Sequence, residues 1–554
     1  ERLLGISPRR IGLSATLGDY ELAKEWLAGG SDRPVGVIDE GRTRRVRIAL
    51  EHYQVADDEP KEEPEDAPDV AQEGPLPHIL SMYGRTRRGK SLIFVNSRSE
   101  AEDIGAGLRE LAERDGQADI YFVQHGSISK EYRLDAEEAM REEARPACTV
   151  ATVTLELGID LGQLERVLQF GAPHSVSSFV QRLGRTGRRG EPGDMSLYSV
   201  EDPPAASASA LERMPWLLLK TIAMVQLYVE EKWVEPIEPP RLPFSLLYHQ
   251  TMSVLMQHGE LLPADLADLV LTLPPFREVG RDRYKRLLTH LLEIDHLQWT
   301  ERRRLLIGLA GEKVVNDWHF LATFADSVEY DVIAGSEHVG TLMSPPPVDT
   351  VFRLAGRTWR VKDVDMKKHS ILVQRTRGKA RTTWTGGGGG VHIRVMERIR
   401  QLLDEELEPG YLNEPAVERL REARDLAREV ELSQRQILPG SDGTSHLVPW
   451  LGSSGFAALL LGLKARLGEE KATARSAPFY MSVRAPYGEL LEVLQKPLTK
   501  DEIRSQLTGR SVPLEGKFDE YLPEELLLEA FVEDGIDVEE VERSRKVSAS
   551  YGSH

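Results

Sequence analysis

The sequence has one cysteine, no run of 18 or more apolar residues and no excess of basic residues. The single cysteine, Cys148, excludes a disulfide framework and a cysteine-rich zinc module, and it is typical of proteins of the reducing cytoplasm. Without a long apolar run we expect no membrane span, and isolated histidines predict no metal site. The 70 Lys and Arg against 89 Asp and Glu give a net charge of −19, which excludes a wholly basic nucleic-acid coat but permits a local nucleic-acid site.

The length of 554 residues predicts three to four domains at roughly 150 residues each. The chain starts at Glu1. Residues 10–13 have the pattern of a strand and residues 19–28 that of a helix, and Gly29 is a typical C-terminal cap for this helix. This opening is typical of the middle of a domain. We therefore expect the chain to be a portion of a longer protein.

An α/β domain is the clearest feature of the first half. Short apolar runs, which predict buried strands, alternate with helical periodicity at 100–114 and 129–141. The predicted strands are 91–95, 120–124, 148–151, 166–170 and 195–199. This alternation predicts a parallel sheet with right-handed crossovers and helices on both faces.

The flanking segments have other patterns. Residues 56–73 hold nine Asp and Glu among three prolines, which predicts a solvated linker. Two short strands at 297–300 and 303–309 follow a series of helical patterns, the layout of a winged helix. Those helical patterns are 211–229, 244–258, 263–271 and 281–294.

The last third begins with alternating apolar and polar residues at 324–373, which predicts a mostly antiparallel sheet. A five-glycine tract at 386–390 and charged amphipathic helices at 395–408 and 416–432 follow. The sequence therefore predicts a β-rich domain with a helical extension.

The segment from Gln181 to Gly190 carries the most informative chemistry. On a helix, Arg185 and Arg188 lie three residues apart and face the same side. Arginine presents a planar fork of donors, which can neutralise charge on a transferred phosphoryl group. Taken alone, such a cluster also fits a solvated basic turn.

Other polar segments follow the predicted strands of this domain. Thr152 and Asp160 offer a hydroxyl and a carboxylate after one strand. Ser97 and Arg98 follow a second strand, and His125 and Gly126 follow a third. Each is compatible with an ordinary strand-to-helix turn, but together they place phosphate-compatible groups where α/β folds bind ligands.

The order and spacing of four segments resemble motifs III, IV, V and VI of the superfamily 2 (DEAD/DEAH-box) helicases: 14–16, 93–98, 152–160 and 181–188. Segments 125–129, 154–160 and 173–178 are similar to those of the Lhr (large helicase-related) branch. Segments 247–250, 324–330 and 354–361 also resemble its winged helix and its fourth, sheet-containing domain. The resemblance covers roughly residues 9–432 and implies a RecA-like second lobe.

The resemblance implies specific roles. Arg185 and Arg188 would reach the ATP γ-phosphate, with Gly158, Asp160, Gln181 and Arg182 at the nucleotide. Ser14, Ala15 and Thr16 would couple hydrolysis to lobe movement. The nucleic-acid backbone would be held by Ser97, Arg98, Gly126 and Thr152. Apart from the resemblance, His125 is a further candidate for contact with nucleic acid.

One departure from the helicase pattern is an absence. Residues 84–91 have the spacing Gly-x-x-x-x-Gly-Lys-Ser, but a phosphate loop follows a strand and opens a helix, whereas these residues precede the predicted strand 91–95. We therefore expect no functional phosphate loop in this chain, and the sequence contains no Asp-Glu-x-His motif; these two elements bind the β- and γ-phosphates and Mg²⁺. We expect a missing first lobe to complete the site for ATP and Mg²⁺. The chain alone should then be inactive as an ATP hydrolase.

A basic surface is predicted outside the lobe. Residues 353–383 hold ten Lys and Arg and two Asp, so 10 − 2 = +8. Arg375, Arg377 and Arg381 precede Trp384, and cations beside aromatic rings suit a single strand, although a solvated basic loop also fits. Trp299, next to three arginines, is a second candidate, whereas the core is expected to hold Trp26, Trp216, Trp318 and Trp359.

These observations predict six parts. They are a remnant of the first lobe (1–45), a linker (46–76), a second lobe (77–205), a helical linker with winged helix (206–318), a β-rich domain (319–500) and a tail (501–554). The resemblance implies 3′-to-5′ translocation on single-stranded DNA, unwinding of DNA or RNA:DNA duplexes and a role in repair. An RNA-remodelling helicase, or a non-catalytic nucleic-acid-binding subunit of a split helicase, remains open. The sequence indicates no protein partner.

Overall fold

The structure is a computed structural model, and it describes the residues that follow. They are 9–14, 16–29, 31, 33–38, 45–55, 76–142, 145–155, 164–187, 192–324, 330–335, 337–342, 348, 350–365, 368–376, 390–440, 443–510, 512–514 and 516–551.

The helices, in chain order, are α1 Tyr20–Ala28, α2 Pro77–Thr86, α3 Arg98–Arg114, α4 Lys130–Arg141, α5 Val176–Leu183, α6 Ala210–Arg213, α7 Trp216–Glu231, α8 Phe244–His258, α9 Pro263–Val270, α10 Gly280–Glu293, α11 Leu309–Val315, α12 Ile393–Asp404, α13 Glu414–Glu429, α14 Ser453–Leu467, α15 Tyr487–Gln495, α16 Lys500–Leu507, α17 Glu524–Ala530 and α18 Val538–Tyr551. The strands are β1 Val46–Gln54, β2 Lys90–Phe94, β3 Tyr121–Gln124, β4 Ala147–Ala151, β5 Arg166–Phe170, β6 Gly193–Glu201, β7 Leu297–Trp299, β8 Leu305–Ile307, β9 Tyr330–Ala334, β10 Glu337–Leu342, β11 Val351–Leu354, β12 Arg357–Asp365, β13 Ser370–Arg375, β14 Ile437–Pro439, β15 Ser445–Leu447, β16 Ala472–Ser476 and β17 Tyr480–Val483.

The chain divides into two compact units, each assembled from separate stretches of sequence. One consists of Glu40–Glu235 and Val328–Arg435, and the other of Glu1–Asp39, Pro236–Ser327 and Gln436–His554. This division differs from the boundaries predicted from sequence, because residues 319–500 are shared between the two units.

A six-stranded parallel sheet forms the centre of the first unit and confirms the α/β class. Its strand order is β1-β6-β5-β2-β4-β3. β2 and β4 are buried at every residue, as expected for a parallel sheet covered on both faces. The lobe also begins earlier than predicted, because β1 pairs along its whole length with β6 although it lies in the predicted linker.

A five-stranded sheet in the order β10-β9-β13-β12-β11 is mostly antiparallel, as predicted, with one parallel pair between β13 and β9. It does not have a core of its own. Val123 and Ile128 of the lobe belong to the same buried cluster as Val332, Leu354 and Trp359 of this sheet. The lobe and the five-stranded sheet therefore fold around one continuous core.

The second unit contains α8, α9 and α10 followed by the hairpin β7–β8, with Leu261 bridging to Leu305. This order agrees with the predicted layout, and its designation as a winged helix stays a prediction. A separate four-stranded sheet, β14-β15-β17-β16, packs with α14 and α18 around another core.

Some predictions for the tryptophans and the first residues were wrong. Trp216 and Trp359 are buried, but Trp26 and Trp318 are 77% and 75% exposed. Residues 9–14 form no strand, whereas α1 agrees with the prediction and ends at Gly29, which adopts a left-handed conformation.

Within the residues that the structure describes, no helix is both long and apolar enough to cross a membrane. The same part of the chain holds no cluster of three or more His, Cys, Asp or Glu side chains that could bind a metal ion.

Candidate functional site

The strand register brings several predicted segments to one edge of the parallel sheet. Phe94 at the end of β2 is paired with Ala151 at the end of β4, and Ala151 is paired with Gln124 at the end of β3. The carboxyl ends of these strands are therefore level. The segments that follow them lie side by side, at the edge where α/β sheets bind ligands.

The segment after β2 forms the start of α3. The Ser97 hydroxyl accepts a hydrogen bond from the Glu100 amide at 3.1 Å, while the Glu100 carboxylate accepts the amides of Asn96 and Ser97. This reciprocal capping box fixes the first turn of the helix. Burial raises the pKa of Glu100. Arg98 is half-buried beside this turn.

The segment after β3 combines an exposed Gly126 with two buried neighbours. Ser127 accepts a hydrogen bond from Arg98 Nη1 at 2.5 Å. His125 is completely buried, and its Nε2 lies 2.9 Å from Glu102 Oε1. The prediction that His125 contacts nucleic acid is therefore wrong for this conformation, because its ring has no surface to offer.

Thr152 follows β4 and is only 9% exposed. Its amide donates to the Gln124 carbonyl oxygen at 3.3 Å, which joins this segment to the end of β3. The predicted nucleotide-binding residues Gly158 and Asp160 lie outside the described residues.

The helix α5 carries the residues that resemble motif VI. Its first turn is capped by Ser175, and the Glu235 carboxylate accepts the amides of Val176 and Ser177 at 2.7 and 2.9 Å. A carboxylate is favourable there because it satisfies free N–H groups and interacts with the positive end of the helix dipole.

Two residues of α5 that were predicted to bind ATP differ in exposure. Gln181 is half-buried, and its amide nitrogen lies 3.4 Å from Ser177 Oγ. Arg182 is completely buried: it donates to Gln169 Oε1 and lies over the Phe94 ring at 5.0 Å. The prediction that Arg182 contacts ATP is therefore corrected, since the side chain holds β2 and β5 together from inside the lobe.

The turn after α5 holds Arg185 at the surface. Arg185 is half-buried, and the next residue, Thr186, is anchored through a backbone bridge to Leu164 and a hydrogen bond from the Asp194 amide at 3.0 Å. Gly187 has φ of 69°, a conformation that glycine adopts readily. The predicted finger, Arg188, lies outside the described residues.

The predicted coupling residues belong to the other unit. Ser14 is exposed, and its hydroxyl donates to the Thr16 carbonyl oxygen at 2.9 Å. Ala15 lies outside the described residues.

The predicted basic surface is only partly free for a ligand. Arg353 pairs with Asp103 of α3 at 2.6 Å, and Arg357 donates to the Tyr132 hydroxyl at 2.8 Å, so both join the sheet to the lobe. Arg375 is exposed at the end of β13. Arg377 and Arg381 lie outside the described residues.

The hairpin β7–β8 places Trp299 at the surface, 54% exposed. Arg302 and Arg303 in its turn are also exposed. By contrast, Arg283 and Arg286 of α10 pair with Glu529 at 3.1 and 2.8 Å, so their charge is compensated within the chain.

Three residues that organise the site had no recognisable sequence signal: Glu102, Gln169 and Glu235. Their partners in other segments lie between 13 and 254 residues away in sequence, with no local pattern to identify them. Glu235, for example, caps a helix that begins 59 residues earlier.

Known proteins with similar sequences include helicases. Residues 75–190 match the model of the helicase conserved C-terminal domain. The chain is 25% identical to the "Lhr helicase/uracil glycosylase" of Escherichia coli over 514 residues, 81% of this chain and 32% of that protein. It is 34% identical to the "ATP-dependent helicase Lhr-Core" of Saccharolobus solfataricus over 180 residues, 32% of this chain and 19% of that protein.

A solved structure supports the fold. "Structure of Mycobacterium smegmatis helicase Lhr bound to ssDNA and AMP-PNP" matches 99% of this chain and 74% of that chain, with a TM-score of 0.61 and 19% identity. The chain spans about a third or less of the length of the two curated relatives. Residues 75–190 thus match the helicase conserved C-terminal domain, and over most of its length the chain is similar to an Lhr helicase.

Proposed function

We propose that this chain supplies the second lobe and the nucleic-acid-binding domains of an ATP-dependent helicase or translocase. The observation that carries this proposal is the position of Arg185, at the surface directly after α5, in a turn fixed by Thr186. A half-exposed guanidinium held in this way suits an anionic phosphate, which its planar fork can bind at two points.

The nucleotide would be held between this chain and a first lobe that carries a phosphate loop. ATP would supply the free energy of its phosphoanhydride bond. Gln181 and Arg185 would bind it from this chain. Arg182 would not contact the nucleotide but would fix α5 on the sheet through Gln169 and Phe94. Gly158, Asp160 and Arg188 keep the roles that the family resemblance implies, and a first lobe would hold Mg²⁺.

A single strand would bind along the edge formed after β2, β3 and β4. Ser97 caps the α3 N-terminus, where the positive end of the helix dipole favours an anion, and Arg98 adds a positive charge. The exposed Gly126 lets a backbone approach closely. Thr152, Arg375, Arg377 and Arg381 would extend the phosphate contacts. Separately, in the other unit, the exposed Trp299 would stack on a base of a bound nucleic acid.

We propose DNA as the track, with 3′-to-5′ movement, unwinding of DNA or RNA:DNA duplexes and a role in repair. The solved Mycobacterium smegmatis relative is described as bound to single-stranded DNA, and the Escherichia coli relative is named as a uracil glycosylase as well as a helicase. The buried free thiol of Cys148 fits our further proposal that the protein acts in the reducing cytoplasm.

Binding of labelled single strands to the chain, measured over a series of salt concentrations, tests the strand site. The proposal predicts salt-dependent binding of DNA that weakens when Arg98 is changed to Ala. Equal affinity for a matched RNA would favour the RNA-remodelling alternative.

Strand displacement tests the direction of movement, with the chain joined to a first lobe that contains a phosphate loop. Duplexes with a 3′ single-stranded tail should be unwound, and those with a 5′ tail should not. Strand binding without displacement in the joined protein would favour a non-catalytic nucleic-acid-binding subunit.

A further inference from the structure

A two-residue turn joins the five-stranded sheet to the lobe. Ala355 and Gly356 connect β11 to β12, with the flanking Leu354 and Arg357 directly paired. Both turn residues have positive φ, 57° and 64°, as in the type I′ hairpin turn. Ala355 is 4% exposed, so this hairpin tip is buried instead of lying in solvent.

Two side chains of α3 bind every backbone polar group of this turn. The Glu102 carboxylate accepts the amides of Ala355, at 2.6 Å, and Gly356. Arg109 Nη1 donates to the carbonyl oxygens of the same two residues at 2.7 and 2.8 Å. The carboxylate and the guanidinium therefore match the donors and acceptors of the turn one for one.

Glu102 also connects the turn to the strand-binding edge. The amide of Ser127 donates to His125 Nδ1 at 3.3 Å, so the imidazole carries its proton on Nε2 and donates to Glu102. Ser127 Oγ in turn accepts from Arg98. An unbroken series of hydrogen bonds thus runs from the turn to the half-buried Arg98.

The same loop makes a second contact with the sheet. The Ser127 carbonyl oxygen accepts the Thr341 amide at 2.7 Å, and Ile128 bridges to Gly340. A Cβ at Gly340 would collide with that carbonyl oxygen, so only glycine allows this approach. The loop after β3 is therefore held both by the hairpin turn, through Glu102, and by β10.

The burial of Glu102 makes this arrangement dependent on the sheet. Its side chain is fully buried, and a buried carboxylate is costly unless hydrogen bonds satisfy it. The turn contributes two of the three donors described above, and His125 contributes the third. Without the turn, Glu102 would lose most of its partners and could no longer fix His125.

We propose that Glu102 is a positioning residue through which the five-stranded sheet sets the geometry of Arg98 and of the Gly126–Ser127 backbone. The sheet is then an integral part of the strand-binding edge. This inference rests on the proposed function in one respect, namely that Arg98 and Gly126 bind the strand.

The neighbouring Asp103 provides a matched control. It pairs with Arg353 across the same contact between lobe and sheet, at 2.6 Å, and among the described residues it bonds neither His125 nor Ser127. Asp103→Asn therefore weakens the contact with Arg353 and leaves the hydrogen-bond series from the turn to Arg98 intact. Glu102→Gln interrupts that series, because it replaces one of the two acceptor oxygens with an NH₂ group that faces an N–H donor.

Amide hydrogen exchange tests the positioning without any nucleic acid. In Glu102→Gln we expect faster exchange in peptides covering both 121–130 and 351–360, and in Asp103→Asn no change at 121–130. Unchanged exchange at 121–130 in Glu102→Gln would overturn the proposal, whether or not the chain binds a strand.

A double-mutant cycle tests the consequence for binding. We expect Glu102→Gln to weaken single-stranded DNA binding about tenfold, as for one lost charge-assisted contact, and to weaken it no further in an Arg98→Ala background. Additive losses would overturn the coupling between Glu102 and Arg98. If Glu102→Gln changes hydrogen exchange at 121–130 but the wild-type chain binds no single strand, the positioning role of Glu102 is supported and the proposed strand-binding function is refuted.

Discussion

Arg182 donates a hydrogen bond to the side-chain oxygen of Gln169, and both side chains are completely buried. Gln169 in turn donates to the Phe170 carbonyl oxygen at 2.7 Å. A buried guanidinium needs such acceptors, because an unsatisfied buried charge is destabilising.

We expect Gln169→Leu to lower the free energy of unfolding of the lobe by about 2 kcal/mol, since it removes a neutral acceptor from a buried cation. Urea denaturation followed by circular dichroism measures this change. The double variant Gln169→Leu/Arg182→Met should recover part of the loss, because it also removes the charge. A double variant less stable than Gln169→Leu would contradict this account.

Glu540 predicts a pH-dependent stability of the second unit. Burial raises its pKa to about 7, although its Oε1 accepts the Gly452 amide at 2.6 Å. The unfolded chain releases this proton near its ordinary pKa of 4.5, and the folded chain holds it to about 7. The contribution of this group to stability is therefore lost as the pH rises from 4.5 to 7, by at most about 3 kcal/mol.

Glu540→Gln removes this titration and keeps an acceptor oxygen. Its thermal midpoint should exceed that of the wild type at pH 8, with a smaller difference at pH 5. The exposed neighbour Glu539 supplies the control, Glu539→Gln, for which we expect no such dependence. An equal gain from Glu540→Gln at both pH values would argue against a buried, protonated carboxyl group.

Trp299 and Trp318 allow a matched test of the hairpin β7–β8. Both are exposed, at 54% and 75%, but only Trp299 lies beside the exposed Arg302 and Arg303. We expect Trp299→Ala to weaken single-stranded DNA binding by about 1–3 kcal/mol through lost base stacking. Fluorescence anisotropy measures this loss, and Trp318→Ala should leave the affinity unchanged. Equal effects of the two substitutions would remove Trp299 from the strand site.

Patterns that are local in sequence predicted the lobe well. The strands β2 to β6 and the helices α3 and α4 follow from apolar runs and helical periodicity, and the positions of Ser97, Arg98 and Thr152 after their strands place them at one edge of the sheet. Arg185 lies at the opposite edge, because Thr186 is held at the amino ends of β5 and β6. These features depend on residues that are neighbours in the chain or on a regular alternation of strands and helices.

Partners distant in sequence were missed. β1 was assigned to a linker because its parallel partner, β6, begins 147 residues later. Its pattern of charged and apolar residues gave no indication of that pairing. His125 and Arg182 were predicted to bind ligands because they lie in segments that resemble helicase motifs, whereas Glu102 and Gln169 hold them inside the lobe. A polar side chain near a motif can thus support the site without touching the ligand.

We propose that this chain supplies one half of a helicase ATP site, in which Arg185 would contact the phosphates. Steady-state ATP hydrolysis tests it, measured with and without single-stranded DNA, for chain 1–554 alone and for the same chain joined to a first lobe with a phosphate loop. We predict no turnover by the chain alone, DNA-stimulated turnover by the joined protein, and a loss of about a thousandfold in its Arg185→Ala variant. Two results would contradict this account. One is ATP hydrolysis by the chain alone that is abolished by Arg188→Ala, and the other is an unchanged rate of hydrolysis when Arg185→Ala is introduced into the joined protein.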